Sequence, residues 1–93
     1  MDIAAIQEEI DGISILLYQN REQEGIDEVS RFFGKMKELT EELLQKNLAD
    51  HVYIGAMYKI YQELLLSYEN RDMLGMADCL QEYALIITDI AGI

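Results

Sequence analysis

Apolar residues at the start of the chain recur at alternating intervals of three and four: Ile3, Ile6, Ile10, Ile13 and Leu17. That spacing keeps step with a 3.6-residue turn, so it predicts a helix over residues 2 to about 20 with one apolar stripe, and Asp2 stands ready to cap its free amides. A second stripe, Ile26, Val29, Phe33, Met36, Thr40 and Leu43, is flanked by Phe32, Leu39 and Leu44 and runs out at Lys46 and Asn47, which predicts a long second helix. Asp50 is the expected cap of a third helix, HVYIGAMYKIYQELLLSY, which is apolar or aromatic on nearly every side and is therefore expected to be the most buried. Asp72 is the expected cap of a fourth, striped by Met76, Cys79, Tyr83, Ile86 and Ile90 and ending near Gly92.

The connections are short, which favours antiparallel neighbours, and the chain contains no proline to break a helix. The expected fold is all-α: an up-and-down antiparallel four-helix bundle with knobs-into-holes stripes, forming one domain over 1–93 with hairpin 1 at about 2–46 and hairpin 2 at about 50–91. The segments YQNREQEGI (18–26) and YENRDMLGM (68–76) repeat Tyr, Asn, Arg and Gly at a displacement of fifty residues. The same displacement pairs Ile26 with Met76, Val29 with Cys79, Phe33 with Tyr83 and Met36 with Ile86, although it sets Ile13 against Glu63 and Leu17 against Ser67. Two duplicated hairpins are one reading of this, and a chance echo is the other. Either way the segments reverse the chain: Tyr18 and Tyr68 are expected to close one helix against the next, Glu22 and Asp72 to favour the positive helix end, and Gly25 and Gly75 to allow close approach. A tetratricopeptide-like stack is a neighbouring possibility, but the Trp, Leu-Gly and Pro signature of that repeat is missing.

Charge narrows the function. Eighteen acidic residues against seven basic ones give a net charge of -11, spread over both halves, which repels nucleic acid and anionic membrane and favours a basic partner. A single cysteine excludes an internal disulfide and a thiolate cluster and suits a reducing compartment, so a cytoplasmic location is expected. The acidic start differs from a secretory signal, and no apolar run approaches the roughly 18 residues of a membrane span.

Candidate chemistry is sparse. His51 beside Asp50 lacks a second histidine or a suitably spaced carboxylate, so a solvated cap residue outweighs a general base or metal ligand. Cys79 on a core face is expected to be an inert thiol. Glu38 and Glu41, with Glu69 and Asp72, give an ExxE to ExxD spacing that resembles the magnesium site of the all-helical nucleotide pyrophosphohydrolases. The chain places Asp72 at a turn, however, and offers few cations for phosphate. Glu-x-x-His, the mark of a di-iron bundle, is absent. No cofactor and no metal are expected.

Tyr53, Tyr58, Tyr61 and Tyr68 crowd helix 3 and are distributed around it, so one face fills the core while others lie at a groove or subunit contact. Gly12, Gly34 and Gly55 interrupt helices at up to about 1 kcal/mol each, which suggests close helix approaches or a shallow groove. The acidity, the lack of proline, the four predicted helices and the stretch YENRDMLGMADCLQEY together resemble the small bacterial export chaperones of flagellar and related secretion systems. That resemblance implies a helical cytoplasmic protein holding the apolar, helix-prone end of a secreted subunit. It transfers no binding residue. From aromatic exposure alone, Met57, Tyr58, Tyr61 and Met73 are the expected contacts for an amphipathic helix of a partner. The alternatives are a structural homodimer paired through the helix 1 stripe, and the magnesium-dependent hydrolase.

Overall fold

A computed structural model describes residues 2–46 and 51–92 and contains four helices: α1 (Ile3–Tyr18), α2 (Glu22–Gln45), α3 (His51–Glu69) and α4 (Met73–Ala91). They form the expected antiparallel bundle. The α1 helix packs between α2 and α4, α3 also packs on α4, and the α2–α3 pairing is sparser than either the α1–α4 or the α3–α4 pairing. Asp2 and Asp72 cap α1 and α4 as the sequence suggests, accepting from the amides of Ala5 (3.1 Å) and Gly75 (2.9 Å), and Gly92 ends α4 in the left-handed region at φ 74°. The expected cap at Asp50 lies outside the described residues.

Several stripes are corrected in register. In α2 the core position belongs to Phe32, fully buried, while Phe33 is half-buried and Leu44 is exposed. In α4, Leu80 and Ile87 are fully buried and Ile86 and Ile90 sit at the margin. The α3 helix is not the most buried element. Its buried residues are Ile54, Met57, Ile60 and Leu64, and Val52, Tyr58, Leu65 and Leu66 remain exposed. An apolar surface all round suggested burial on every side, but a four-helix bundle covers only one face of each member.

The two halves do match, but at a displacement of 51 rather than 50. The α1 helix ends at Tyr18 and α3 at Glu69, while α2 begins at Glu22 and α4 at Met73, each pair 51 apart. The intervening turns are the same structure. Arg21 N–H donates to Leu16 C=O (3.0 Å) and Asn20 N–H to Leu17 C=O (3.2 Å), matched by Asp72 to Ser67 (2.9 Å) and Arg71 to Tyr68 (3.2 Å). These are the paired bonds of a Schellman close, and the left-handed residue is Asn20 (φ 57°) in one turn and Arg71 (φ 53°) in the other. The repeated letters therefore mislead by one place: Asn70 echoes Asn20, yet Arg71 does its conformational work. At 51 the cores superpose, with Ile6 answering Met57, Ile13 answering Leu64, Val29 answering Leu80, Phe32 answering Tyr83 and Met36 answering Ile87, all buried. The helix 1 and helix 3 stripes, which fail to match at 50, agree here. Phe32 and Tyr83, counterparts of one another, meet edge-to-face with ring centroids 6.0 Å apart, marking a pseudo-two-fold axis through the core.

The glycines divide into two kinds. A Cβ on Gly25 would lie 2.8 Å from the Leu17 side chain, and one on Gly75 would lie 2.4 Å from the Asp72 carboxylate and 2.8 Å from the Ser67 hydroxyl, so both serve close packing at the turns. Gly12, Gly34 and Gly55 have nothing among the described residues within 4 Å of where a Cβ would stand, so no helix of the bundle approaches them. Tyr18 is exposed rather than closing its helix, whereas Tyr68 packs on Phe33 with ring centroids 5.5 Å apart. Glu22, in the first turn of α2, pairs with Arg71 across 3.0 Å and ties the two turns together.

Candidate partner-binding groove

Because residue n answers residue n + 51, the α1–α4 seam and the α2–α3 seam are counterparts, and they differ in chemistry. Across the α1–α4 seam Gln7 Nε2 donates to Thr88 Oγ1 (2.8 Å) and Gln81 Nε2 donates to Ser14 Oγ (3.0 Å), with Thr88 in turn donating to the Ala84 carbonyl (2.8 Å). Ser14 is buried, so its bond to Gln81 satisfies a hydroxyl that would otherwise be stranded. The hollow here, about 310 Å³, is bordered by Gln7, Asp11, Gln81 and Thr88 together with Ala84 and Leu85.

At the α2–α3 seam the counterparts of Gln7, Ser14 and Thr88 are Tyr58, Leu65 and Lys37, which make no such pairs. The side chains are also larger: Phe33, Tyr61 and Tyr68 stand where the other seam has Ala84, Ile10 and Leu17. Phe33 meets Tyr61 at 5.2 Å and Tyr68 at 5.5 Å, both edge-to-face, forming an aromatic wedge between α2 and α3 toward the turn end of the bundle. Helix separation follows the volume of the contacting side chains, so this wedge holds the helices apart. Beyond it opens a groove of about 550 Å³, floored by Met36, Met57 and Tyr61 and bordered by Tyr58, Leu65 and Glu41 among others.

Of the expected contacts, the groove unites three. Met57 is buried in its floor, Tyr61 is half-buried beside it there, and Tyr58, 54% exposed, forms its rim. Met73 does not belong. It begins α4 and packs half-buried against the core, where the first turn of a helix at the opposite end of the bundle must lie. The lining residues that are not among the expected contacts are Met36, Lys37, Thr40, Glu41, Gln62 and Leu65. Leu65 follows Tyr58 by seven and Glu41 follows Lys37 by four, spacings that put each pair on one face, but the partner face was recognisable only once α3 was known to be covered on one side. Thr40, the polar break in the α2 stripe, is buried beside the groove and donates its hydroxyl to the Met36 carbonyl (2.9 Å).

The other candidates do not converge. Glu38 and Glu41 lie in the last third of α2, whereas Glu69 and Asp72 flank the turn at the other end of the antiparallel pair, and Asp72 is engaged as a cap. Among the described residues no three His, Cys, Asp or Glu side chains are grouped to hold a metal. His51 is exposed. Cys79 is buried, and that burial, reinforced by Glu63 and Glu82, pushes its thiol pKa up, as an inert core thiol requires. The Tyr83 hydroxyl is buried without a hydrogen-bond partner, and desolvation pushes its pKa well above the ordinary range. No described helix is long and apolar enough to cross a membrane. The helix 1 stripe, expected to pair with its own copy in a dimer, is buried inside the bundle from Ile6 to Leu17. No family model, curated protein or solved structure matches the chain.

Proposed function

We propose that this protein is a non-enzymatic binding module, of the export-chaperone or adaptor kind and working in the cytoplasm, that holds an amphipathic helix of a partner protein in the α2–α3 groove. What carries the reading is the groove itself: one of two equivalent seams is bridged by hydrogen bonds, while the other is propped open and lined with Met, Tyr and Leu. Leaving Tyr58 and Leu65 partly in water is unfavourable for the isolated chain and favourable once an apolar surface covers them. Methionine floors such sites because its flexible thioether adapts to different side chains, and tyrosine contributes large contact area with few rotatable bonds. A groove between two helices accepts a third through anchors repeated at i, i+3 or i+4, and i+7.

The test compares proteins retained by the immobilised chain with those retained by Tyr58→Ala combined with Leu65→Ala. The reading expects a partner that is held by the parent chain and lost from the double variant, while circular dichroism and the thermal midpoint stay close to the parent. Identical retention by both would remove the groove from the account.

A further inference from the structure

We propose that the occupant of the groove is a helix of about three turns, apolar in the middle and cationic at both ends, lying directly against the backbones of α2 and α3; this rests on the binding reading above. Helical spacing extends the groove's rim on α3 from Gly55 through Tyr58, Gln62 and Leu65 to Glu69, and on α2 from Gly34 through Lys37 and Glu41 to Leu44. Because the helices are antiparallel, Gly34 borders the Leu65 end and Gly55 the Glu41 end. Both glycines are exposed, inside helices, with nothing among the described residues within 4 Å of a Cβ position. Each weakens its helix by about 1 kcal/mol relative to alanine, and no contact within the bundle accounts for it. Bare backbone at both ends of an apolar trough lets another backbone approach closely, which distinguishes a docked helix from a small ligand confined to the floor. The stretch from Gly55 to Leu65 covers roughly 15 Å at a rise of about 1.5 Å per residue, which sets the length.

Charge selects the chemistry of that helix. Glu41 stands near one end of the trough and Glu69 beyond the other, on a chain of net charge -11. Five of the seven cations are engaged in ion pairs, Arg21 with Glu24, Arg31 with Glu28, Lys35 with Glu9, Lys46 with Glu42 and Arg71 with Glu22, so little positive charge offsets the rim. A second copy of the chain would bring the same negative charge to the same place, whereas basic ends on a foreign helix meet an attractive field. Lys37, at mid-groove and without an ion pair among the described residues, faces the apolar middle of the occupant and contributes its methylenes to the wall.

The experiment uses two synthetic amphipathic helices with the same leucine face, one bearing lysines at both ends and the other glutamates, titrated into the full chain with fluorescence anisotropy as the readout. The lysine-ended helix should bind more tightly, weaken as salt is raised, and lose affinity several-fold with Glu41→Gln plus Glu69→Gln. Gly34→Leu plus Gly55→Leu should abolish binding while leaving the circular dichroism intact, since both sites face open space. Equal affinity for the two helices, with both lost in Tyr58→Ala plus Leu65→Ala, would overturn the cationic assignment and leave the groove standing. Absence of binding by either helix, or binding indifferent to the Tyr58 and Leu65 changes, would overturn both readings. Sedimentation of the free chain as a dimer that Gly34→Leu plus Gly55→Leu dissociates would assign the groove to a second copy instead.

Discussion

The α1–α4 and α2–α3 seams occupy equivalent places in the bundle, yet one is bridged by polar side chains over a hollow of about 310 Å³ and the other opens into a groove of about 550 Å³. The difference lies in a few side chains. Gln7, Ser14, Gln81 and Thr88 bridge the first seam with hydrogen bonds, while Phe33, Tyr61 and Tyr68 wedge the second apart. The backbone plan is shared, down to the bonds that close each turn. In a small bundle, then, a recess needs no additional element. Aromatic rings in place of Ala84, Ile10 and Leu17, and Tyr58, Leu65 and Lys37 in place of the bridging Gln7, Ser14 and Thr88, accompany the change from a bridged contact to a recess.

The sharpest way to break the comparison is to truncate counterparts. Ile10, fully buried in the bridged seam, should cost about 2–5 kcal/mol when changed to alanine, whereas Tyr61→Ala at the equivalent open position should cost only about 1–2 kcal/mol. Urea denaturation of the two variants measures the gap, and equal costs would mean that the open seam is packed as tightly as its twin. Next in size is the polar bridge. Ser14→Ala leaves the Gln81 amide with only a long 3.4 Å contact to Asp11 and should lower stability by about 1 kcal/mol, while Leu65→Ala at the counterpart site should change stability less and binding more.

The Tyr83 hydroxyl offers a smaller effect of opposite sign. Buried and unpartnered, it gains nothing in the folded state, so Tyr83→Phe should leave stability at pH 7 unchanged or raise it by up to about 1 kcal/mol. Its pKa is raised on folding by desolvation, so the unfolded chain ionises first. Stability is therefore intact below the ordinary tyrosine value of about 10 and falls as pH rises above it, by at most about 1.4 kcal/mol per pH unit from this group. Tyr83→Phe should remove that part of the alkaline slope, as thermal melts between neutral and alkaline pH would reveal. Smallest is Gly34→Ala, which fills open space and should stabilise by somewhat under about 1 kcal/mol, in contrast to Gly25→Ala, which drives a methyl against Leu17 and should destabilise.

Much of the fold was legible because helix spacing is a local property. Asp2, Asp72 and Gly92 announced helix ends, and the stripe from Ile6 to Leu17 named its own core face. Register was harder. Phe32 and Phe33 are adjacent and equally apolar, and only the position of Tyr83 across the core decides which one goes inside. The displacement of fifty is what the turn residues suggest, because they repeat by name, while the structural equivalence rests on hydrogen bonds that the letters do not record. For the groove, tyrosine content directed attention to α3 and to Met57, Tyr58 and Tyr61, three of its lining residues. Met73, at the start of α4, does not line the groove. Leu65 was hidden among LLL, a run in which only the neighbouring helices determine that Leu64 is buried and Leu65 is not.

The edge-to-face meeting of Phe32 and Tyr83 has one more implication. Two rings that are counterparts and touch stand on either side of a rotation axis, and two separate copies of a single hairpin would be obliged to place identical rings there and to make both flanks alike. Running the halves as one polypeptide lifts that obligation. Phenylalanine can then face tyrosine, and one flank can carry polar bridges while its rotational counterpart carries an apolar recess.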